Sequence, residues 1–226
     1  MHRTAFFLPH SLLFTFLWVG ASLQGAEPGK ILYQQEFTSA KSLEDFDLTD
    51  AKAWKWVEKD GEKFVEQFQA SKYKPTHRSP FNLALLKTPT VGDFIVDYEV
   101  QSTCKEYGHR DMVFVFGYQN PDQFYYCHIA SKADDHANNV FVVNKAPRIK
   151  NATTTNKGNT WGSNAWKKVR IVRTASTGDY EVFFEDFTKP IMVGNDKSFG
   201  KGRIGFGTFD DTCRIRKLTI YQPAGK

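Results

Sequence analysis

The chain is poor in sulfur, with three cysteines and three methionines in 226 residues. Cys104, Cys127 and Cys213 include no Cys-x-x-Cys spacing, so neither a zinc ribbon nor a dense disulfide framework is indicated. An odd number leaves two readings: one disulfide with a buried thiol, or small apolar core residues. No His-x-x-x-His spacing occurs, which argues against a catalytic zinc. No segment sustains a 3.6-residue apolar stripe, so helices are not expected to build the core. Long blocks of one charge are missing too. Thirty Lys and Arg face 25 Asp and Glu, a net charge of +5, and the basic residues are dispersed. Nucleic acid is therefore not expected as a partner, while the mild excess favours a polyanion.

One long apolar stretch is present, at the start. Arg3 supplies a short positive region, Phe6 to Val19 is apolar except for Pro9, His10, Ser11 and Thr15, and Gly25 and Ala26 offer small residues for cleavage, although Gln24 suits that site poorly. This pattern predicts a signal peptide over residues 1–26 and export to the periplasm, cell surface or medium. The uninterrupted apolar part is shorter than the roughly 20 residues a spanning helix needs. With no second such stretch, no membrane span is expected in the mature chain. Losing Arg3 brings its net charge to about +4 by the same bookkeeping. Residues 27–226 fit a single β-sandwich domain.

Alternation of apolar residues defines the strands. Phe94, Val96, Tyr98 and Val100 interleave with Ile95, Asp97, Glu99 and Gln101, the period of a half-buried strand. Met112, Phe114, Phe116 and Tyr118 repeat it. Further strands are predicted over 54–57, 63–67, 124–129, 140–144, 166–173, 179–184, 202–208 and 214–221. Turn-forming residues separate them, including Glu58-Lys-Asp-Gly61 and Asn120-Pro-Asp-Gln123. The expected fold is all-β: two packed antiparallel sheets.

If Asn120 to Gln123 form the loop of a hairpin, Gln119 pairs with Phe124, Gly117 with Tyr126 and Val115 with His128. Met112, Phe114, Phe116, Tyr118, Tyr125, Cys127 and Ile129 then face the core. Asp111, Gln119, Tyr126 and His128 share a wet face with Gly117, which leaves room for a ligand ring. Asp97, Glu99 and Gln101 are expected on the same wet face of a neighbouring strand.

All four histidines beyond the leader fall in short polar stretches. These are Lys74-Pro-Thr-His-Arg-Ser-Pro80, Tyr107-Gly-His-Arg-Asp111, Phe124-Tyr-Tyr-Cys-His128 and Ala133-Asp-Asp-His-Ala-Asn-Asn139, with Val143-Asn-Lys-Ala-Pro-Arg148 just behind. Imidazole, guanidinium, carboxylate and phenol groups concentrated in this way are the ingredients of a binding or acid-base site. Taken singly, each histidine is more often a satisfied structural residue.

The closing segments carry a resemblance. Trp166-Lys-Lys-Val-Arg170, Gly178-Asp-Tyr-Glu-Val182 and Gly202-Arg-Ile-Gly-Phe-Gly-Thr-Phe-Asp-Asp211, followed by Ile215-Arg-Lys-Leu-Thr-Ile220, look like the last strands of concanavalin A-like lectin/glucanase jelly rolls. The flavour is that of laminin-G-like and 3-keto-disaccharide hydrolase-like domains of secreted bacterial proteins. The resemblance implies a two-sheet antiparallel jelly-roll sandwich and a polysaccharide or oligosaccharide partner. It departs at Asp186-Phe187, where such domains turn on Asp-Gly. A Glu-x-Asp-x-x-Glu run is also missing, and Asp97-Tyr-Glu99 has the spacing of its first half only. Jelly rolls of this kind often hold Ca²⁺, which Asp210, Asp211 and Glu36 could bind where the first and last strands meet. Asp134-Asp135-His136 is another set of metal-type donors.

Three readings stay open. In a glycan-binding module, Tyr126, Trp161 and Phe124 stack on sugar faces. Arg78, Arg110, Asn139, Asn144 and Arg148 bind hydroxyls or carboxylates, and His77, Asp111, Gln119 and His136 complete the site. In a polysaccharide lyase or glycoside hydrolase, His128, Tyr126, His109 and Arg110 carry the chemistry. There His128 or Tyr126 removes a proton beside a uronate, and Arg78 or Arg110 neutralises the developing charge. In a structural or adhesive surface domain, the same groups merely pair with Asp111, Asp134 and Asp135.

Overall fold

A computed structural model of the chain describes residues 26–225. The expected signal peptide lies outside the described residues but for Ala26. The first strands are β1 (Pro28–Gln35), β2 (Phe46–Leu48), β3 (Trp54–Lys59), β4 (Glu62–Gln67), β5 (Asn82–Leu86) and β6 (Phe94–Ser102). Then come β7 (Asp111–Asn120), β8 (Gln123–Ala130), β9 (Asn139–Asn144), β10 (Ile149–Lys150) and β11 (Ala152–Thr155). The last are β12 (Lys167–Thr174), β13 (Asp179–Phe184), β14 (Met192–Asn195), β15 (Arg203–Thr208) and β16 (Cys213–Pro223). Among the described residues helix is confined to two short 3-10 turns, Ala40–Asp45 and Ala51–Ala53.

The strands form two antiparallel sheets packed as a jelly-roll sandwich. One runs β11-β14-β13-β12-β6-β16-β4-β3, with β1 also on β16; the other runs β10-β9-β8-β7-β15-β5-β2. Between them, Val96, Tyr98 and Val100 of β6 meet Met112, Phe114 and Phe116 of β7 and Tyr125, Cys127 and Ile129 of β8. Phe116 lies at the centre, with ring centroids 5.0 Å from Tyr125, 5.9 Å from Tyr180 and 6.3 Å from Phe94. The β3–β4 hairpin turns at Asp60 and Gly61, both with positive φ, which matches the right-handed twist of its strands. All three cysteines are free, and Cys127 and Cys213 are buried core residues.

The β7–β8 register differs from the expected one. Asn120 opposes Gln123, but Phe116 opposes Tyr125, so three residues of β7 lie against Phe124 alone. Val115 therefore faces Tyr126, and Val113 faces His128. Gly117 makes the bulge, with φ of 58°; a Cβ there would meet the Tyr125 ring at 3.1 Å and Phe199 Cβ at 3.3 Å. It packs against the core side and opens no room for a ligand. A slip of two residues preserves which face each side chain takes, so the inward set stands up to Phe116. Beyond the bulge Tyr118 swaps faces and packs on Phe124, with centroids 5.5 Å apart.

The two outer faces are unlike each other. On the nine-stranded sheet, Asp97 receives Arg170 through two 2.7 Å bonds, Glu99 pairs with Arg216 and Lys217, and Glu66 pairs with Arg214 and Lys55. Asp97, Glu99 and Gln101 are thus on the sheet that does not carry the β7–β8 hairpin, because β6 pairs with β12 and β16. The corresponding face of β7 and β8 is not wet. Val113, Val115, Phe124, Tyr126, Phe141, Val143 and Phe209 form a second apolar cluster there.

Two stability tests follow from this packing. Phe116→Ala is expected to cost roughly 3–5 kcal/mol in denaturant unfolding, as a large-to-small core change. Gly117→Ala should cost about 1–2 kcal/mol from left-handed backbone strain, more if Tyr125 cannot yield. Acid should act through the charged face. Burial pushes the carboxyls of Glu66 and Glu99 up, but Lys55 and Arg214 on one and Lys217 and Arg216 on the other outweigh it and hold both below the ordinary glutamate value of 4.5. Their stabilising contribution is complete above that value and is lost as pH falls through the lowered folded values. Thermal melts should therefore show no loss from this source near neutrality and a falling midpoint below about pH 4.5.

Candidate functional site

The revised register assembles the site. With Val113 opposite His128, Asp111 lies diagonally across from His128 on the same outer face, and the His128 Nε2 meets the Asp111 carboxylate in a very short contact. Both side chains are buried. The Nδ1 of His128 is 3.0 Å from the His136 carbonyl, which can only accept, so Nδ1 carries a proton. One further proton lies between Nε2 and Asp111, since otherwise two lone pairs would face each other. The Asp111 backbone N–H donates to Asp211 Oδ2 at 2.8 Å, and Tyr107 donates to Asp211 Oδ1 at 2.5 Å. Burial and the nearby Asp111 charge raise the Asp211 carboxyl above the ordinary range despite those donors.

Arg148 closes the other side. It donates to Tyr126 Oη at 2.7 Å and to the His136 carbonyl at 3.3 Å, and its guanidinium lies 4.9 Å from the ring centroids of both Phe141 and Phe209. Burial pushes the Tyr126 phenol well above its ordinary value, with Arg148 opposing. Arg78 lies 5.8 Å from the centroid of the same Phe209 ring. Among the described residues no carboxylate forms an ion pair with Arg78 or Arg148. His109 Nε2 is 2.5 Å from Asp134, whose other oxygen receives the His136 N–H at 2.7 Å. That bond ties the segment before β7 to the β8–β9 loop.

Together these groups line a cavity of about 510 Å³, walled by Arg78, His109, Asp111, His128, His136, Pro147, Arg148, Phe209 and Asp210. Four of the polar stretches singled out in the sequence converge there, joined by Arg148. Phe209 was not anticipated, although it continues the outward-facing alternation of Gly205 and Gly207 along β15.

Other expected site residues are elsewhere. Arg110 is buried, donating to Ser102 Oγ at 3.0 Å, the Ser102 and Gly162 carbonyls at 2.9 and 2.8 Å, and Glu106 at 2.6 Å. Its guanidinium is spent on holding loops and does not line the cavity. Trp161 is fully buried in the inter-sheet core, with its indole N–H on the Arg110 carbonyl at 3.0 Å. Tyr126 and Phe124 are enclosed in the outer apolar cluster, so neither offers an open face for stacking. Gln119 bonds the Lys201 carbonyl, and Asn144 accepts from Gln123 at the far end of the hairpin. Asn139 accepts from the Asn151 and Ala152 N–H groups, and His77 is half-buried outside the cavity wall.

The expected calcium set does not gather. Asp211 is committed to Tyr107 and Asp111, and Asp210 lies at the cavity rim. Glu36 follows Gln35, which pairs with Leu218, seven residues along from Asp211 and so on the order of 20 Å away in extended chain. Asp134 and Asp135 are engaged by His109 and Lys150. Among the described residues no group of three or more His, Cys, Asp or Glu side chains is arranged to hold a metal ion.

No family model matches the chain, and no curated protein matches it in sequence. Solved structures do share its fold. A carbohydrate-binding module, CBM66 from Bacillus subtilis, is 12% identical with a TM-score of 0.54, over 78% of this chain and 95% of that one. A putative glycosyl hydrolase from Parabacteroides distasonis is 11% identical with a TM-score of 0.55, over 84% and 99%. The GH43 protein BlXynB from Bacillus licheniformis is 9% identical with a TM-score of 0.58, over 84% of this chain but only 39% of that one. At such identities the likeness is one of fold, and it places the chain among concanavalin A-like sandwiches.

The buried environment of Arg110 sets an expectation for mutagenesis. Arg110→Ala leaves two carbonyls and a buried hydroxyl without their donor, which should cost on the order of 3 kcal/mol of stability. Calorimetry of the variant should show a lowered melting temperature, whereas a residue serving only the cavity would leave it unchanged.

Proposed function

We propose that the protein is an exported carbohydrate-binding domain that seats part of an oligosaccharide or polysaccharide, preferably an acidic one, in the cavity between Arg78, His136 and Arg148. The observation that carries this reading is the convergence of two guanidiniums, free of carboxylate partners among the described residues, on one concave site. A cavity of about 510 Å³ is of the size that encloses small ligands. The fold neighbours, a carbohydrate-binding module and a putative glycosyl hydrolase, support a glycan as the ligand, as does the resemblance of the closing strands to secreted glycan-handling domains. The leader pattern supports export, where such glycans are met.

Binding is favoured over cleavage. Both His128 nitrogens are engaged, and Tyr126 is buried with its oxygen receiving Arg148. Neither stands ready to take a proton from a substrate, as a general base must. Recognition rests on charge and hydrogen bonds, because Phe209, the phenylalanine of the wall, is buried.

Titration calorimetry of the full chain over neutral and acidic polysaccharides, with product release followed in parallel, tests this. The expected result is binding without new reducing ends or unsaturated product, weakened by added salt because charge pairs near solvent are screened over about 8–10 Å. Arg148→Ala should lower the affinity about tenfold, a change of ~1.4 kcal/mol. Steady release of unsaturated product would make the protein a lyase, and release of reducing ends without unsaturation would make it a hydrolase.

A further inference from the structure

We propose that the cavity captures an anionic glycan together with a proton, taken up by the imidazoles of His109 and His136 in its wall. This rests on the glycan-binding reading and adds a regulation of the same site. Both residues line the cavity and both are exposed to solvent. His109 Nε2 meets Asp134 at 2.5 Å, while its Nδ1 has no hydrogen-bond partner among the described residues. With Nε2–H donating to that carboxylate, Nδ1 of the neutral ring presents a lone pair, which a proton converts into a second donor. His136 is fixed through its main chain: its N–H donates to Asp134 at 2.7 Å, and its carbonyl receives His128 and Arg148. Neither of its ring nitrogens has a partner among the described residues.

The groups facing these two rings keep their charge near neutrality. From the loop of His136, burial pushes the Asp134 carboxyl up, but the His136 N–H and His109 outweigh it and hold it below the ordinary aspartate value; Lys150, on β10, does the same for Asp135. On the segment before His109, Arg110 and Ser131 hold the Glu106 carboxyl down. Arg78, Arg148, Lys150 and Lys132, which lies beside Gly108, are cations throughout. Burial raises the Tyr107 and Tyr126 phenols, which stay neutral. His128 of β8 already carries both protons and cancels Asp111 of β7. From the β15–β16 loop come Asp210 at the rim and Asp211, which burial and the Asp111 charge raise but which lies behind the wall on Tyr107. Without imidazolium the two arginines therefore exceed Asp210 by one charge, and each protonated ring adds another. An anion beside an imidazole favours its charged form, and by reciprocity the proton strengthens anion binding by the same factor. Histidine ordinarily loses its charge between about pH 5 and 8, so affinity is highest at the acid end of that range and falls as pH rises through it.

The test is titration calorimetry of the full chain with oligogalacturonate, oligoglucuronate and a sulfated oligosaccharide, whose charge is constant over the range, and with a neutral oligosaccharide. An acidic ligand should bind about tenfold tighter at about pH 5.5 than at about pH 8. In buffers of different ionisation enthalpy near about pH 6.5, the measured heats should show uptake of about half a proton or more per ligand bound. The neutral ligand should show neither effect. In the double variant His109→Gln, His136→Gln the ratio between the two pH values and the proton uptake should both vanish, whatever its affinity at the alkaline end. If that variant does not fold, NMR titration of the wild-type imidazoles gives the same reading, with the midpoints of His109 and His136 moving up when an acidic ligand is added. Binding that is indifferent to pH, that weakens in acid, or that keeps its pH ratio in the double variant would overturn the proton-coupled assignment and leave glycan binding standing. Absence of binding to every acidic oligosaccharide across the range would overturn both.

Discussion

The placement of His128 beside Asp111 depends on one backbone feature, the bulge at Gly117. Had β7 and β8 paired without it, His128 would face Val115, four residues from Asp111. Three residues of β7 against Phe124 shift the ladder so that Val113 takes that place. Only then do imidazole and carboxylate meet, and only with Nε2 fixed does Nδ1 point at the His136 carbonyl. That carbonyl also receives Arg148. A left-handed glycine far from the cavity thus sets the geometry of the cavity wall, as bulges do when they re-aim side chains near sites.

The contrast between the outer faces explains why the cavity forms where it does. Cross-strand acids and bases on β6, β12, β16 and β4 satisfy one another, and such half-exposed pairs contribute modestly to stability while leaving little free charge. Arg170 is spent on Asp97, and Arg216 on Glu99 and Glu62. On the other sheet, Phe209, Phe141 and Tyr126 put apolar surface where water would be expected. Arg78 and Arg148 lie over those rings rather than against carboxylates, their stems and faces packed and their edges available. Charge that pairs within the protein on one face is left for a ligand on the other.

Strands with apolar alternation were legible without coordinates, and the predicted span at Asp179–Phe184 coincides with β13. β5 was not, because Asn-Leu-Ala-Leu-Leu is buried on both faces and has no period to read. The four histidine-bearing stretches announced a site through composition, and each places a residue in the cavity wall. Roles within them were less legible. Arg110 and Arg148 are the same residue type in similar polar surroundings, yet one is buried against Ser102 and Gly162 and the other lines the cavity, a difference made by chain crossings distant in sequence. Tyr126, Trp161 and Phe124 looked like sugar platforms because residue type cannot say whether a ring face is covered. The register error had a related cause: loop residues fix pairing at the hairpin tip, and a bulge three residues further on undoes it.

The wall is cross-linked before any ligand arrives. His109 and Asp134 join two loops, Lys150 holds Asp135, and one carbonyl, that of His136, anchors both His128 and Arg148. Two arginines that would otherwise sample many rotamers are packed on a shared ring, so less ordering entropy remains to be lost on binding.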